Sequence, residues 1–276
     1  MKFKFLGTAA AEGVPGIFCV CDTCEKTRKL GGKNIRTRSQ SLVNDDLLID
    51  FPADTYMHII NYGLDLHKIR HCIITHDHGD HLYPNDFFMR APEKCHLKNE
   101  ETFNIYGSST VTEKLNSNWI ITEMEKTHGC FRVVEVKAFE SFFAGDYKIT
   151  PLEADHGAEN SLIYIIEKED KTILYAHDTG IFPEKTWEWI EENKPKIDFA
   201  TFDCCFGKKE CRENHMGFDA VLSVINRLKD MDVLNEGSIC CVNHFSHNAG
   251  ILYEEMEKHS SEYGIITSYD GLEIEF

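Results

Sequence analysis

Short apolar segments recur along the chain, separated by more polar stretches. Most are rich in Ile, Val, Phe or Tyr and are bounded by turn residues or charges, which is typical of β-strands. We predict strands over residues 2–6, 47–50, 72–75, 103–106, 132–136, 147–152, 161–166, 172–176, 197–202, 239–243 and 264–268.

Helical periodicity appears between some of these strands. Apolar residues spaced three and four apart place a single stripe along a helix over 217–229. We predict two more helices over 52–62 and 250–260, and a fourth that begins at Pro183, a residue suited to a first helical turn. Many strands with few, mostly surface helices indicate two packed sheets with helices outside.

No Pro-, Gly- or Ser-rich linker divides the chain, and no repeat of fixed period is present. We therefore expect one domain over residues 1–276. Region 82–128 has the least regular pattern, and we expect it to form loops or a lid over the site.

The charge balance restricts the binding partners. The chain has 46 acidic residues against 29 Lys and Arg, a formal net charge of −17. Proteins that bind nucleic acids need a basic surface, so a nucleic-acid partner is disfavoured, as is an anionic membrane. A small anionic substrate remains compatible, because bound divalent metals reverse the local potential.

The distribution of apolar residues predicts a cytoplasmic protein. No apolar run approaches the roughly 20 residues that cross a bilayer. Residues 1–7 are too few and too charged for the core of a secretion signal and are predicted to form a strand. In the cytoplasm the 11 cysteines are expected to be thiols or metal ligands instead of disulfides.

A cluster of metal-ligand residue types follows the strand predicted at 72–75. His76, His78, Asp80 and His81 lie within six residues of one another in the loop that leaves this strand. Imidazole nitrogen and carboxylate oxygen suit zinc, manganese or iron. The alternative is a surface loop that is merely rich in His and Asp, but this spacing directly after a strand favours a metal site.

Further ligands are expected because four residues do not fill two metal sites. His156, Asp178 and His244 each follow a predicted strand. Ligands at strand ends converge at one edge of a sheet. Each residue alone would be an ordinary turn residue, but the three together with the first cluster form a coherent ligand set.

This succession of motifs resembles the metallo-β-lactamase superfamily, whose first motif is similar to Leu48-Ile49-Asp50. The resemblance implies an αββα sandwich, an α/β fold that agrees with the two-sheet prediction. It also implies two divalent metal ions, Mn²⁺ or Zn²⁺, held by His76, His78 and His156 on one side and Asp80, His81 and His244 on the other, with Asp178 bridging. Asp50 would orient a ligand from behind.

Three cysteines form a second motif. Cys19, Cys21 and Cys24 lie within six residues, in a loop that contains Gly and Pro. Zinc would hold such a loop, and His247 offers a fourth ligand if His244 belongs to the active site. The alternative is three unligated cysteines. The remaining cysteines are expected to be small buried hydrophobic residues.

The combined motifs resemble one family more narrowly, the phosphoribosyl cyclic phosphate phosphodiesterases of the carbon–phosphorus lyase pathway. The similar segments are Gly7-Thr8, Gly13-Val14-Pro15, the cysteine triplet, Asn214-His215, His244-x-x-His247 and Leu272. The resemblance implies that His215 contributes to catalysis near the phosphate. The chain departs from the pattern at Asp50-Phe51-Pro52, where Asp-x-Gly is usual, and over 82–128.

The expected function is hydrolysis of a small, cyclic phosphodiester by a hydroxide that the two metals share. Asp80 and Asp50 belong to the expected catalytic machinery, and His215 would donate a proton or a charged hydrogen bond. The alternatives are a tRNA-maturing nuclease, a thioesterase, a lactonase and a protein of pyrroloquinoline quinone synthesis. A metal-storage or metal-sensing protein is a non-enzymatic alternative. A homodimer is one option for the assembly.

Overall fold

The computed structural model describes residues 1–97 and 102–276. The strands and helices occur in this chain order: β1 (Lys2–Gly7), α1 (Asp22–Leu30), β2 (Gln40–Val43), β3 (Leu47–Ile49), α2 (Thr55–Tyr62), β4 (His71–Ile73), β5 (Phe103–Gly107), α3 (Ser109–Ser117), α4 (Trp119–His128), β6 (Phe131–Glu135), β7 (Phe142–Ala144), β8 (Tyr147–Glu153), β9 (Leu162–Lys168), β10 (Lys171–Ala176), α5 (Glu184–Asn193), β11 (Phe199–Asp203), α6 (Phe218–Asp230), β12 (Ile239–Asn243), α7 (Tyr253–Ser261), β13 (Ile266–Thr267) and β14 (Glu273–Glu275).

The strands form two mixed sheets. One sheet has the order β14-β1-β2-β3-β4-β5-β6, and the other has the order β13-β12-β11-β10-β9-β8-β7. β3 to β6 run parallel in the first sheet, and β10 to β13 run parallel in the second. Each parallel run brings several strand ends to one edge of its sheet, where ligand sites are commonly built.

Three layers of apolar side chains hold the elements together. Between the sheets, Phe3 and Phe5 of β1 pack with Tyr175 and Phe199 of the second sheet. A second cluster joins the outer face of the second sheet to α5, α6 and α7, and a third joins the first sheet to α3 and α4. The layers are therefore helix, sheet, sheet and helix, and the predicted αββα sandwich is confirmed.

Region 82–128 is more regular than its sequence pattern predicts. It contains a 3₁₀ helix over Pro84–Arg90, strand β5, and helices α3 and α4. The expectation of mostly loops was wrong, because Val111, Leu115 and Ile121 bury an apolar stripe on the first sheet. Residues 98–101 of this region lie outside the described residues.

Several other short elements were not predicted. β2 is fully buried, but it begins with Gln40 and Ser41, and these polar residues interrupt the apolar pattern by which a buried strand is predicted. β7 spans three residues, and α1 begins at Asp22, inside the segment expected to be a loop around the cysteines. In the described part of the chain, no helix is both long enough and apolar enough to cross a bilayer.

Candidate active site

The predicted ligands leave the strand ends at one edge of the sandwich. Asp50 follows β3, Asp178 follows β10 and His244 follows β12. These residues have φ values of 65°, 51° and 63°, in the left-handed region that side chains other than glycine rarely adopt. Such backbone geometry turns the chain sharply at the strand end and is concentrated at functional sites.

Three imidazoles form the first group of donors. His76, His78 and His156 each place one ring nitrogen within 4.8 Å of the others. Nε2 of His156 lies 3.3 Å from Nδ1 of His78. Burial and the neighbouring histidines lower the pKa of His76 well below its ordinary value, so its ring is neutral and able to bind a cation.

Two imidazoles and two carboxylates form the second group. Nε2 of His81 lies 3.3 Å from Oδ2 of Asp80 and 3.1 Å from Oδ2 of Asp178, and Nε2 of His244 lies 3.0 Å from the same Asp178 oxygen. The other oxygen of Asp178, Oδ1, lies 3.7 Å from Nε2 of His156 in the first group. Asp178 therefore stands between the two groups with one oxygen towards each.

The buried donor atoms fit a metal site. Buried polar atoms normally have hydrogen-bond partners, because leaving one unpaired is costly. Within the described residues, four atoms at the junction of the two groups have none: Nε2 of His76, Nε2 of His81, Nε2 of His244 and Oδ2 of Asp178. Bound cations would satisfy all four, and nitrogen with carboxylate oxygen is a suitable donor set for zinc or manganese.

Asp50 supports the ligand loop from behind. Its Oδ1 accepts hydrogen bonds from the backbone N–H of Thr75 at 2.8 Å and from the Thr75 hydroxyl at 3.0 Å. Its Oδ2 accepts a hydrogen bond from Nδ1 of His81 at 2.7 Å. Asp50 thus contacts a predicted ligand from the buried side, as the resemblance implied.

His215 lies against the ligand cluster and is held by a carboxylate. Its ring is stacked on His244 with centroids 5.5 Å apart, and its Nδ1 donates to Oδ2 of Asp203 at 2.8 Å. Burial lowers the pKa of His215, but the Asp203 carboxylate outweighs this effect and raises that pKa to about 9. The hydrogen bond to Asp203 holds the imidazole by its Nδ1 and leaves Nε2 for a ligand.

The two donor groups and His215 face one cavity of about 360 Å³. A separate and more apolar cavity of about 210 Å³ lies between Phe87 and Phe131 and contains none of the predicted ligands. The first cavity is the candidate active site because the buried donors converge there. Its further walls are formed by Ala10, Ala11, Glu12, Cys205, Phe206, Ser246 and Asn248.

The cysteine triplet lies beside His247, as predicted. Sγ of Cys19 and Sγ of Cys21 are each 3.6 Å from Nδ1 of His247, and Cys24 completes a cluster of four donors within 4.8 Å. The backbone N–H of Cys24 and the His247 ring lower the pKa of the Cys21 thiol to about 6. A thiolate in this position is what a zinc site requires.

Sequence reasoning missed three residues of the site. Asp203, which ends β11 as Asp178 follows β10, could have been found from the same strand-end pattern. Cys205 was expected to be only a buried hydrophobic residue, but it lines the cavity and lies near His215 and His244. No local pattern marks Glu12 as a site residue, because its contacts are with Ser246 and Asn248, far along the chain.

The fold and the paired donor groups define a metallo-β-lactamase-type site. The sequence model of the beta-lactamase superfamily domain matches residues 52–234. The chain therefore belongs to the β-lactamase superfamily, and the resemblance drawn from its motifs is confirmed.

Curated relatives of the chain carry one name. Ribonuclease Z of Listeria monocytogenes serotype 4a (strain HCC23) is 24% identical over 202 residues, which cover 70% of this chain and 59% of the relative. Ribonuclease Z of Oceanobacillus iheyensis is 25% identical over 199 residues, with 70% and 60% covered. The chain thus spans about 60% of the length of these relatives.

Solved structures share the whole fold at low sequence identity. Zn²⁺-bound PqqB from Methylobacterium extorquens superposes with a TM-score of 0.77 at 16% identity, covering 100% of both chains. A diphosphatase from the PhnP family gives 0.71 at 21% identity, covering 100% of this chain and 98% of the other. The short form of human tRNase Z gives 0.66 at 15% identity, covering 100% and 99%. At these identities the likeness shows the fold.

Proposed function

We propose that the chain is a metal-dependent phosphodiesterase that hydrolyses a small, cyclic phosphodiester. The observation that carries this proposal is the 2.8 Å hydrogen bond from Nδ1 of His215 to Oδ2 of Asp203, which holds His215 on the cavity that the two donor groups share. A metal site next to a fixed imidazole provides both activation of the attacking water and protonation of the leaving oxygen, which phosphodiester hydrolysis needs.

Seven residues are proposed as ligands of two divalent ions. The donors are His76, His78 and His156 on one side, Asp80, His81 and His244 on the other, and Asp178 between them. Bound Zn²⁺ or Mn²⁺ would lower the pKa of a water molecule and offset charge on the phosphate oxygens. We further propose a structural Zn²⁺ at Cys19, Cys21, Cys24 and His247, with donors spaced as in other closed zinc sites.

His215 is the proposed general acid. Because its Nδ1 donates to Asp203, the proton on Nε2 is the one available to the leaving alkoxide oxygen. Asp203 keeps the ring oriented while its Oδ1 accepts backbone N–H groups of Cys205 and Met216 at 2.9 Å each. The carboxylate is thus fixed by the backbone and in turn fixes the imidazole.

The names of the relatives support phosphorus as the atom attacked. Curated relatives are called Ribonuclease Z, and one structural neighbour is a diphosphatase. The cavity of about 360 Å³ and the net charge of −17 favour a small molecule over a long polyanion.

A tRNA-processing nuclease is the second candidate, favoured by the name of the curated relatives. The net charge argues against it, because binding a long RNA needs cationic side chains to displace counterions. A precursor tRNA offered as substrate separates the two candidates directly.

The test is a substrate panel with protein reloaded with Mn²⁺ or Zn²⁺ after chelation. The panel contains bis(p-nitrophenyl) phosphate, a 2′,3′-cyclic nucleotide, a precursor tRNA, a thioester and a lactone. We expect turnover of the first two, abolished by Asp80→Asn and retained in Asp219→Asn, which removes an exposed carboxylate at the start of α6. Turnover of only the thioester or lactone would overturn the proposal, and cleavage of only the precursor tRNA would establish the nuclease.

A further inference from the structure

Glu12 lies on the wall of the active-site cavity, together with Ser246 and Asn248. Its side chain is about a third exposed, at 36%. It stands in the loop that follows β1, whereas Ser246 and Asn248 follow β12, so the two sheets meet at this wall. None of these three residues belongs to the proposed metal ligands or to the His215–Asp203 pair.

The Glu12 carboxylate is held in one orientation. The Ser246 hydroxyl and Nδ2 of Asn248 both donate to Oε1, each at 2.9 Å. The Ser246 oxygen also accepts from the backbone N–H of Asn248 at 3.1 Å, which fixes the donors themselves. Within residues 1–97 and 102–276, neither Oε2 of Glu12 nor Oδ1 of Asn248 has a hydrogen-bond partner. The wall therefore presents two hydrogen-bond acceptors and a negative charge.

No Lys or Arg is among the described residues that line the cavity. From outside the lining, Nε2 of His247 lies 3.7 Å from Oε1 of Glu12, the same oxygen that accepts from Ser246 and Asn248. Two cationic side chains contact lining residues from outside the lining: Nζ of Lys209 donates to the backbone carbonyl of Asn248, and Nε of Arg38 donates to that of Ala11 at 2.9 Å. Within the lining itself, the positive charge offered to a substrate would therefore come from the proposed metal groups and from His215.

We propose that Glu12 determines specificity: it selects a phosphodiester whose remaining part is an uncharged, hydroxyl-bearing sugar and disfavours one that carries a second phosphate. This inference rests on the proposed function. The single phosphate of such a substrate would occupy the metal groups, and a sugar hydroxyl would donate to Oε2 of Glu12. A second phosphate reaching the same wall would meet the Glu12 carboxylate and Oδ1 of Asn248, with no Lys or Arg among the described lining residues.

The expected discrimination follows from Coulomb repulsion at a carboxylate that is about a third exposed. At the effective dielectric constant of a protein surface, the charge of a second phosphate within the cavity changes the ratio of kcat/KM for the two substrates by about tenfold. A sugar hydroxyl that carries a phosphate can no longer donate to the Glu12 carboxylate. The loss of this hydrogen bond would add to the preference, since hydrogen bonds to charged groups are stronger than those between neutral groups. Glu12→Gln removes the charge and keeps an amide that can still accept a hydrogen bond.

The experiment compares two substrates that differ only in one phosphate. They are adenosine 2′,3′-cyclic phosphate with a free 5′-hydroxyl and the same compound with a 5′-phosphate. We expect kcat/KM of the wild-type, metal-loaded protein to favour the 5′-hydroxyl compound by about tenfold or more. Glu12→Gln should bring that ratio close to one, whereas Glu210→Gln, which removes an exposed carboxylate outside the cavity lining, should leave the ratio as in the wild type.

Two results would overturn the inference. The first is a wild-type ratio near one or in favour of the 5′-phosphate, which needs no variant to fold. The second is a wild-type preference that Glu12→Gln does not reduce. If bis(p-nitrophenyl) phosphate and both nucleotides resist hydrolysis, the proposed function has failed. The dissociation constants of the two nucleotides, measured by calorimetry, then decide the role of Glu12 by the same ratio.

Discussion

Nδ1 of His81 donates a hydrogen bond of 2.7 Å to Oδ2 of Asp50, and both side chains are fully buried. This bond fixes the tautomer of His81, because the proton on Nδ1 leaves the lone pair on Nε2 directed at Asp80 and Asp178. A histidine prepared in this way is a better metal ligand than one whose ring is free to turn.

Asp50→Asn should weaken metal binding while the fold persists. Thr75 donates to Oδ1, so the amide would place its NH₂ group at the position of Oδ2, facing Nδ1 of His81. His81 would then carry its proton on Nε2 and could not bind a cation there. We expect a loss of roughly 10- to 100-fold in metal affinity, measured by competition with a chromogenic chelator. Asp219→Asn is the matched control, and unchanged affinity in Asp50→Asn would contradict this role.

His215→Gln should separate catalysis from metal binding. His215 is not among the proposed ligands, so the variant should bind the wild-type amount of metal, as elemental analysis would show. Loss of a general acid commonly lowers kcat by about 10²- to 10⁴-fold. The effect should be smallest for bis(p-nitrophenyl) phosphate, whose leaving group needs little protonation. His67→Asn, at an exposed histidine, is the control, and an equal loss on all diesters would argue against proton donation.

Cys24→Ser should remove one zinc ion and lower thermal stability. Cys24 is buried, and its Sγ accepts a hydrogen bond from the backbone N–H of Gly16 at 3.2 Å, so the thiol is part of the loop's interior. We expect elemental analysis to find about one zinc fewer per chain and the melting temperature to fall by several degrees. Cys95→Ser is the matched control. Wild-type zinc content in Cys24→Ser would exclude the structural site.

A buried proton network joins His58 and Asp270. Nε2 of Gln40 donates two hydrogen bonds, so its Oε1 accepts from Nδ1 of His58 at 2.6 Å. Nε2 of His58 lies 2.8 Å from the Thr37 hydroxyl, which lies 2.6 Å from Oδ2 of Asp270. The hydroxyl has one hydrogen for these two contacts. When His58 is neutral and Asp270 is ionised, the hydroxyl can therefore donate to only one of the two.

Asp270 and His58 should contribute opposite slopes to the dependence of folding stability on pH. Burial raises the pKa of Asp270 to about 6, so folding stability from this group falls as pH rises from about 4 to 6. Burial lowers the pKa of His58 to about 4, so stability from this group rises as pH rises from about 4 to 6.5. Each shift corresponds to at most about 3 kcal/mol, and in the wild type the two slopes oppose each other.

Replacing Asp270 or His58 should reveal the contribution of that residue to the pH dependence of folding stability. Relative to the wild type, the unfolding free energy of Asp270→Asn should rise with pH between about 4 and 6, and that of His58→Gln should fall. Urea unfolding at half-unit pH intervals measures both. Parallel pH profiles for the wild type and the two variants would contradict these opposite pKa shifts of Asp270 and His58.

The parts of the site that depend on local pattern were predictable from sequence. The loop from His76 to His81 and the residues after β8, β10 and β12 follow strand ends, and the order of these motifs is informative by itself. β2 was missed because its buried residues include Gln40 and Ser41, which are satisfied only by tertiary hydrogen bonds such as those of Gln40 with Asp50 and Thr55.

Roles that arise from distant contacts could not be predicted. Glu12 gains its orientation from Ser246 and Asn248, which are more than 230 positions away along the chain. Asp203 ends a strand like the ligands, but its function as a partner of His215 depends on the path of the loop between them. Helices α3 and α4 are stabilised by packing of Val111, Leu115 and Ile121 on the first sheet, a tertiary contact that the local sequence pattern does not reveal.

Hydrolysis of bis(p-nitrophenyl) phosphate as a function of added metal tests the central claim most directly. Starting from chelated protein, we expect no activity with the cysteine site alone filled. Activity should appear as two further equivalents of Mn²⁺ or Zn²⁺ are bound and should saturate there. Turnover that is independent of metal, or its absence at every metal loading in a folded protein, would contradict assignment of the chain as a metal-dependent phosphodiesterase.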